Sequence, residues 1–209
     1  MMKRCNCWNS FPASADSRLR VLLANWWPFW LLAGLTGGFT LLPDPGHHWA
    51  LRPVLPLADA GRGMLTGHLC HLSLAHWLTN LLVLALLHHW ALRLQVGRLV
   101  LPVLLLSALG VNLGLLLRAP QLDWYVGLSG ALHGLFAWLA LRQATRTATL
   151  AALLPWLAGL AKLLAEALLP AAPWQGFRVI YQAHEHGFLA GSLLALAYVP
   201  AYALACKRR

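Results

Sequence analysis

Six apolar runs alternate with short polar connections along the chain, at about residues 21–42, 72–92, 99–117, 128–141, 148–169 and 182–205. A helix that crosses a bilayer needs ~20 apolar residues at a rise of ~1.5 Å per residue. The pattern therefore predicts an all-α membrane protein, a bundle of six transmembrane helices, and no repeat of fixed period accompanies it. The fourth run is short: from Ser129 to the residue before Arg142 there are 13 residues. That is ~20 Å of helix against ~30 Å of hydrocarbon, so this helix is expected to begin part-way down the membrane. Non-helical backbone survives at that depth only where it lines a wet cavity or is buried in protein. A cavity open to the outer face is expected directly above Ser129.

Composition and charge turn the pattern into an orientation. Hydrophobic residues make up 59% of the 209 and charged residues 11%, against roughly 25% charged in soluble domains. The net charge of +10 sits in clusters flanking the apolar runs, which argues for membrane-flanking loops and against a nucleic-acid surface. With the N-terminus in the cytoplasm, eleven Lys and Arg fall on that side: Lys3, Arg4, Arg18, Arg20, Arg93, Arg98, Arg142, Arg146, Lys207, Arg208 and Arg209. Four fall opposite, Arg52, Arg62, Arg118 and Arg178. This positive-inside bias predicts that both termini are cytoplasmic. The organisation read from it is a cytoplasmic tail over 1–20, a membrane domain over 21–206 with an outer loop at 43–71, and a basic tail at 207–209. The first run follows Lys3, Arg4, Arg18 and Arg20 as a secretory signal would, but it lacks a small-residue cleavage site and reads as a retained signal anchor. Cys5, Cys7, Cys70 and Cys206 have neither the spacing of a disulfide framework nor that of a zinc site, and read as free thiols.

Three polar residues share one depth. Asn80 lies 13 residues before Arg93, and His184 lies 14 before Tyr198, so both stand level with Ser129, ~20 Å above the cytoplasmic boundary. Acyl transfer needs a nucleophile, a base and donors to a developing oxyanion. Ser129, at a helix N-terminus in Gly127-Leu-Ser-Gly130, supplies the first, and His184 supplies the second. Asn80, His76 one turn before it, and the Ser129 backbone N–H are candidate oxyanion donors. Gly130 and Gly134 form one GxxxG, and Gly187 and Gly191 another, which would let the fourth and sixth helices approach closely. His184, Gly187 and Gly191 lie on one helical face, whereas His186 is turned ~200° from His184; the register favours His184 over this rival base. No carboxylate is apparent to orient His184, so the expectation is a dyad. GxSG alone is a weak signal, because small residues around a serine are common in helix packing, and the hydrolase elbow GxSxG is not met, with Ala131 at its fifth position.

Other residues carry plainer readings. His88 and His89 read as interfacial, His47 and His48 as outer-loop residues, and His133 as a structural hydrogen-bonding group. Lys162 and Glu166, at i and i+4, read as an interior ion pair. The chief rival class is a metal-handling membrane protein built on His68 and His71, or on His184 and His186. Positions 184 and 186 point in different directions on a helix, however, and His184-Glu-His186 is not HExxH. The scarcity of intramembrane carboxylates weakens a proton-coupled transporter. A purely structural role is the third option. No metal and no cofactor are expected.

Three ordered motifs resemble the rhomboid family of intramembrane serine proteases. His71-Leu-Ser-Leu-Ala-His76-Trp-Leu-Thr-Asn80 resembles the H-x4-H-x3-N of its second helix. Gly127-Leu-Ser129-Gly130 resembles its GxSG. His184-Glu-His-Gly187-Phe-Leu-Ala-Gly191 resembles its last helix, a histidine with glycines at the third and seventh positions beyond, which again selects His184. The resemblance spans about residues 62–200. Within the family, Thr66-Gly67-His68 before His71 and Gly127-Leu-Ser-Gly-Ala-Leu-His-Gly134 are most similar to the rhombosortase branch. The tryptophan–arginine pair of the usual first loop reads Arg62-Gly63 here. The resemblance implies a six-helix rhomboid bundle in a bacterial inner membrane, with a Ser129–His184 site open to the periplasmic side and shaped by His71, Gly127, Gly130, Gly187 and Gly191. Its implied substrates are exported proteins with a C-terminal Gly-Gly motif, a transmembrane anchor and a basic tail; the alternative is a general rhomboid protease of other single-span substrates.

Overall fold

The computed structural model describes residues 24–42, 48–55, 61–169 and 179–207, with side chains as far as Tyr198 in the last helix. The tail expected at 1–20 and residues 208–209 of the tail expected at 207–209, with Cys5, Cys7, His47 and Arg178, lie outside the described residues, as does the side chain of Cys206. The described chain forms seven α-helices and no strand. They are α1 (Trp27–Thr40), α2 (Gly63–Thr66), α3 (Leu74–Arg93), α4 (Val100–Arg118), α5 (Ser129–Thr147), α6 (Leu154–Leu168) and α7 (Tyr181–Lys207). Each of the six apolar runs carries one helix, and α2 is a single turn within the expected outer loop.

Local chemistry sets the ends. Ser73 caps α3, its Oγ accepting from the His76 N–H at 3.1 Å. Gln95 with φ 58° turns the chain out of α3, and Ala148 with φ 53° turns it out of α5. Proline occupies the first turn of α1 and of α6, where its missing N–H has no intrahelical role.

The short fourth helix is corrected. α5 has 19 residues, ~28 Å, and continues straight past Arg142. The Arg142 guanidinium lies 5.1 Å from the Tyr198 ring centroid, and Arg146 donates to the Leu94 carbonyl. Long basic side chains can lie along apolar neighbours while their heads find polar or aromatic partners, so a charge ended the apolar run without ending the helix. The length of α5 therefore does not fix the depth of Ser129.

α5 is the central helix, with Leu135, Trp138 and Leu139 buried in the main core beside Leu84 of α3 and Leu104 of α4. Its closest partner is α7, through the two glycine pairs. A methyl group at Gly187 would run into the Gly130 carbonyl, and one at Gly191 into the Gly134 carbonyl. The outward faces are apolar: Leu74, Leu78, Leu82 and Leu86 form an exposed stripe four residues apart along α3, as a lipid-facing surface requires. By length and composition alone, Gly97–Arg118 and Leu150–Leu168 suffice to cross a bilayer. The helices bearing polar residues inward, such as α3 and α5, have lower mean hydropathy.

The described segments of the expected outer loop are packed. Leu51 and Tyr125 form an antiparallel bridge, with N–H···O distances of 3.0 and 2.7 Å, and the Gly127 N–H donates to the Gly67 carbonyl at 2.8 Å. The Asn112 side-chain oxygen on α4 accepts from His68 Nε2 at 2.9 Å, and its amide nitrogen donates to the Met64 carbonyl at 2.7 Å. Since that amide oxygen can only accept, His68 is the donor. Leu51, His68, Cys70 and His71 are all buried. The loop thereby braces the strand-like segment that leads into α5.

Candidate active site

The segment before α5 is shaped by one glycine. Gly127 has φ +122°, a conformation L side chains rarely adopt, and a methyl group there would stand 3.0 Å from the His76 ring. The Tyr125 hydroxyl donates to the Gly127 carbonyl at 2.7 Å and holds the turn. Ser129 follows as the first residue of α5, where the leading N–H groups of a helix have no intrahelical acceptor.

α7 brings His184 to that serine. His184 Nε2 lies 3.0 Å from Ser129 Oγ, and the His184 residue is buried. Gly130 permits this approach: a methyl group there would meet the Ala183 carbonyl at 2.9 Å, on the turn that carries His184. His186 points elsewhere, packed against Gly114 of α4.

The expectation that no carboxylate orients His184 is overturned. Glu166 Oε2 lies 3.1 Å from His184 Nδ1, and its Oε1 accepts from Lys162 Nζ at 2.6 Å. α6 leans on α5 and α7, so the i, i+4 pair foreseen as an internal ion pair is turned toward the serine. Lys162 Nζ also lies 3.0 Å from His133 Nε2, and His133 Nδ1 lies 2.8 Å from the Ser129 carbonyl. The His133 ring stacks on the His184 ring at 4.1 Å and 16°. His133, Glu166 and His184 place ligand atoms within 4.8 Å of one another, a spacing that could hold a metal ion; the Lys162 ammonium already contacts two of the three.

α3 forms the opposite wall. His76 and Asn80 are buried, and the Asn80 amide donates to the His76 carbonyl at 2.9 Å, leaving a second N–H on the same nitrogen. Both line a cavity of ≈ 800 Å³ together with Ser129, His133, Lys162 and His184. His71 stands behind them, its Nδ1 3.3 Å from Thr40 Oγ1 and its ring edge-on to His76 at 4.9 Å. Burial first, and the neighbouring His76 second, push the His71 pKa down to about 3. Burial likewise lowers His68 despite its bond to Asn112, raises Cys70 to about 11, and raises Tyr125. His68 and His71 have separate partners, Asn112 and Thr40. His88, read as interfacial, is fully buried, with Nε2 donating to the Asn25 carbonyl at 2.9 Å.

A model of the Rhomboid domain matches residues 61–201, well over half of the chain. The chain belongs to the rhomboid family. The matched stretch takes in α2 to α6 and most of α7, and so contains every residue of the cavity wall described above. Rhomboid proteins are intramembrane serine proteases, which makes this chain an integral membrane protein and a peptide-bond hydrolase acting on transmembrane protein substrates. No curated protein matches it. The rhomboid motifs point to Ser129, His184, His76 and Asn80, but not to Glu166 or Lys162, and His133 was read only as a structural group. One signal for them was present in the sequence: a carboxylate and an ammonium in an apolar run are expensive and are seldom kept without a task.

Proposed function

We propose that this rhomboid protease cleaves with Ser129 as nucleophile and His184 as general base, on exported substrates whose C-terminal anchor carries a Gly-Gly motif. The observation that carries the reading is the 3.0 Å contact between Ser129 Oγ and His184 Nε2 at the wall of the cavity. Ser129 Oγ attacks the scissile carbonyl as its proton passes to His184 Nε2. The resulting oxyanion is met by the Ser129 backbone N–H, the second Asn80 N–H and His76. As the C–N bond breaks, His184 returns the proton to the leaving amine, and water then releases the acyl group from Ser129. His71, Gly127, Gly130, Gly187 and Gly191 shape the site without touching the reacting atoms.

The proposed setting is a bacterial inner membrane. Six spans over 21–206 keep the 1–20 and 207–209 tails in the cytoplasm, and the site opens to the periplasm. The Lys and Arg bias supports this orientation. A helical substrate hides its carbonyls in i to i−4 bonds, so it must unwind to react. Glycine favours that, being ~1 kcal/mol less stable than alanine in a helix and allowing close backbone approach. The rhombosortase-like wording around Thr66-Gly67-His68 and Gly127–Gly134 supports the Gly-Gly class.

The test is co-expression with a secreted reporter bearing a Gly-Gly, transmembrane and basic tail, beside the same reporter with Leu-Leu. Release of the Gly-Gly form alone, lost in Ser129→Ala, is expected. Equal release of both would reassign the chain to general rhomboid proteolysis, and release of neither would remove this substrate class.

A further inference from the structure

The contacts around His184 form a chain of hydrogen bonds whose polarity can be assigned end to end. An ionised carboxylate only accepts, so Glu166 Oε2, 3.1 Å away, requires the proton of His184 on Nδ1. Nε2 then presents its lone pair to Ser129 Oγ at 3.0 Å, the tautomer a general base needs. His133 obeys the same logic. Its Nδ1 must donate to the Ser129 carbonyl at 2.8 Å, so its Nε2 accepts from the Lys162 ammonium at 3.0 Å. Lys162 closes the circuit by donating to Glu166 Oε1 at 2.6 Å. Each contact in the ring then pairs a donor with an acceptor.

We propose that Glu166 is the positioning residue of a Ser129–His184–Glu166 triad, held in place by Lys162 and His133. The proposal rests on the Ser129–His184 reading and deepens it. Glu166 fixes the tautomer and the ring orientation of His184 and faces the imidazolium that forms when Nε2 takes the Ser129 proton. Lys162 holds the carboxylate by its other oxygen, so one rotamer is favoured. His133 must stay neutral to accept from Lys162, so the ring stacked on His184 adds no opposing charge. The space that three ligand atoms could offer a metal ion is met by the protein's own ammonium group.

Two substitutions at position 166 separate positioning from packing. In Glu166→Gln the Lys162 ammonium takes the amide oxygen, which turns the NH₂ toward His184 Nδ1. That selects the tautomer with the proton on Nε2, which cannot accept from Ser129. Glu166→Gln should therefore lose as much as Glu166→Ala or more, although it keeps the shape of the native side chain. The expected fall is ~10²- to 10⁴-fold in the rate of Ser129 labelling by a fluorophosphonate and in kcat, the scale seen when a triad carboxylate is lost. KM should stay within about threefold, since Glu166 does not hold substrate. Lys162→Met should show a smaller loss in the same two rates. The full-length protein in detergent is used, with thermal unfolding recorded for each variant. A Glu166→Gln form that labels at the native rate while Glu166→Ala does not would make Glu166 a packing residue and overturn the proposal. Labelling is independent of substrate choice. If the unsubstituted protein shows no label that Ser129→Ala removes, it is the Ser129–His184 reading itself that fails.

Discussion

At the scale of single residues, the site separates groups that react from groups that support. His184→Ala removes the proposed proton acceptor and should abolish cleavage while the protein remains folded. His186→Ala should keep most of the activity, because that ring packs against Gly114 on the far side of α7. Asn80→Ala removes one proposed oxyanion donor and should lower kcat by ~10- to 1000-fold. Initial rates with a cleavable reporter check all three, and a His186→Ala form as inert as His184→Ala would undo the assignment of roles. The contrast between 184 and 186 was legible in the sequence, because the glycines at 187 and 191 define which face of α7 meets α5. Glu166 was not legible as the partner of His184. That contact depends on how α6 leans against α5 and α7, and helical periodicity within one run carries no information about it.

At the scale of helices, the α5–α7 contact concentrates the packing constraint. Gly191→Leu would drive a side chain into the Gly134 carbonyl, with no flexible neighbour to yield. It should lower stability by ~1–3 kcal/mol or more and depress activity with it, since the same contact holds His184 against Ser129. Gly38→Ala on α1 is the control: nothing lies within 4 Å of a methyl group there, so the melting temperature should hold or rise slightly. Thermal unfolding in detergent compares the two, and equal behaviour would mean that the interlock is not what holds the helices. The positions of the helices followed from the apolar runs because lipid-facing and core-facing residues are apolar alike. The end of α5 did not, because the partners of Arg142 and Arg146, Tyr198 and Leu94, come from distant parts of the chain.

For the whole molecule, the proposed topology makes a sharp demand. In a background lacking Cys5, Cys7 and Cys206, cysteines placed at the exposed positions Val54 and Thr145 should react with impermeant reagents from opposite sides of the membrane. Thr145 should share its side with a reporter fused after Arg209. A C-terminal reporter found on the outer side would sink the proposed arrangement, since with a cytoplasmic N-terminus it requires an odd number of spans. The overall bundle was legible because the bilayer imposes length and apolarity on every span. The packing of the 43–71 segment was not, because the Leu51–Tyr125 bridge joins backbone to backbone and leaves no mark on residue type.

The 55-residue separation of Ser129 and His184 also sets a schedule. A ribosome adding ~5–20 residues per second needs roughly 3–11 s to travel from one to the other. During that interval α5 stands without the base proposed for it, and the glycine seam that will receive α7 is empty. On the proposed roles, a nascent chain is a protease with its safety on, armed only when the last helix has been delivered.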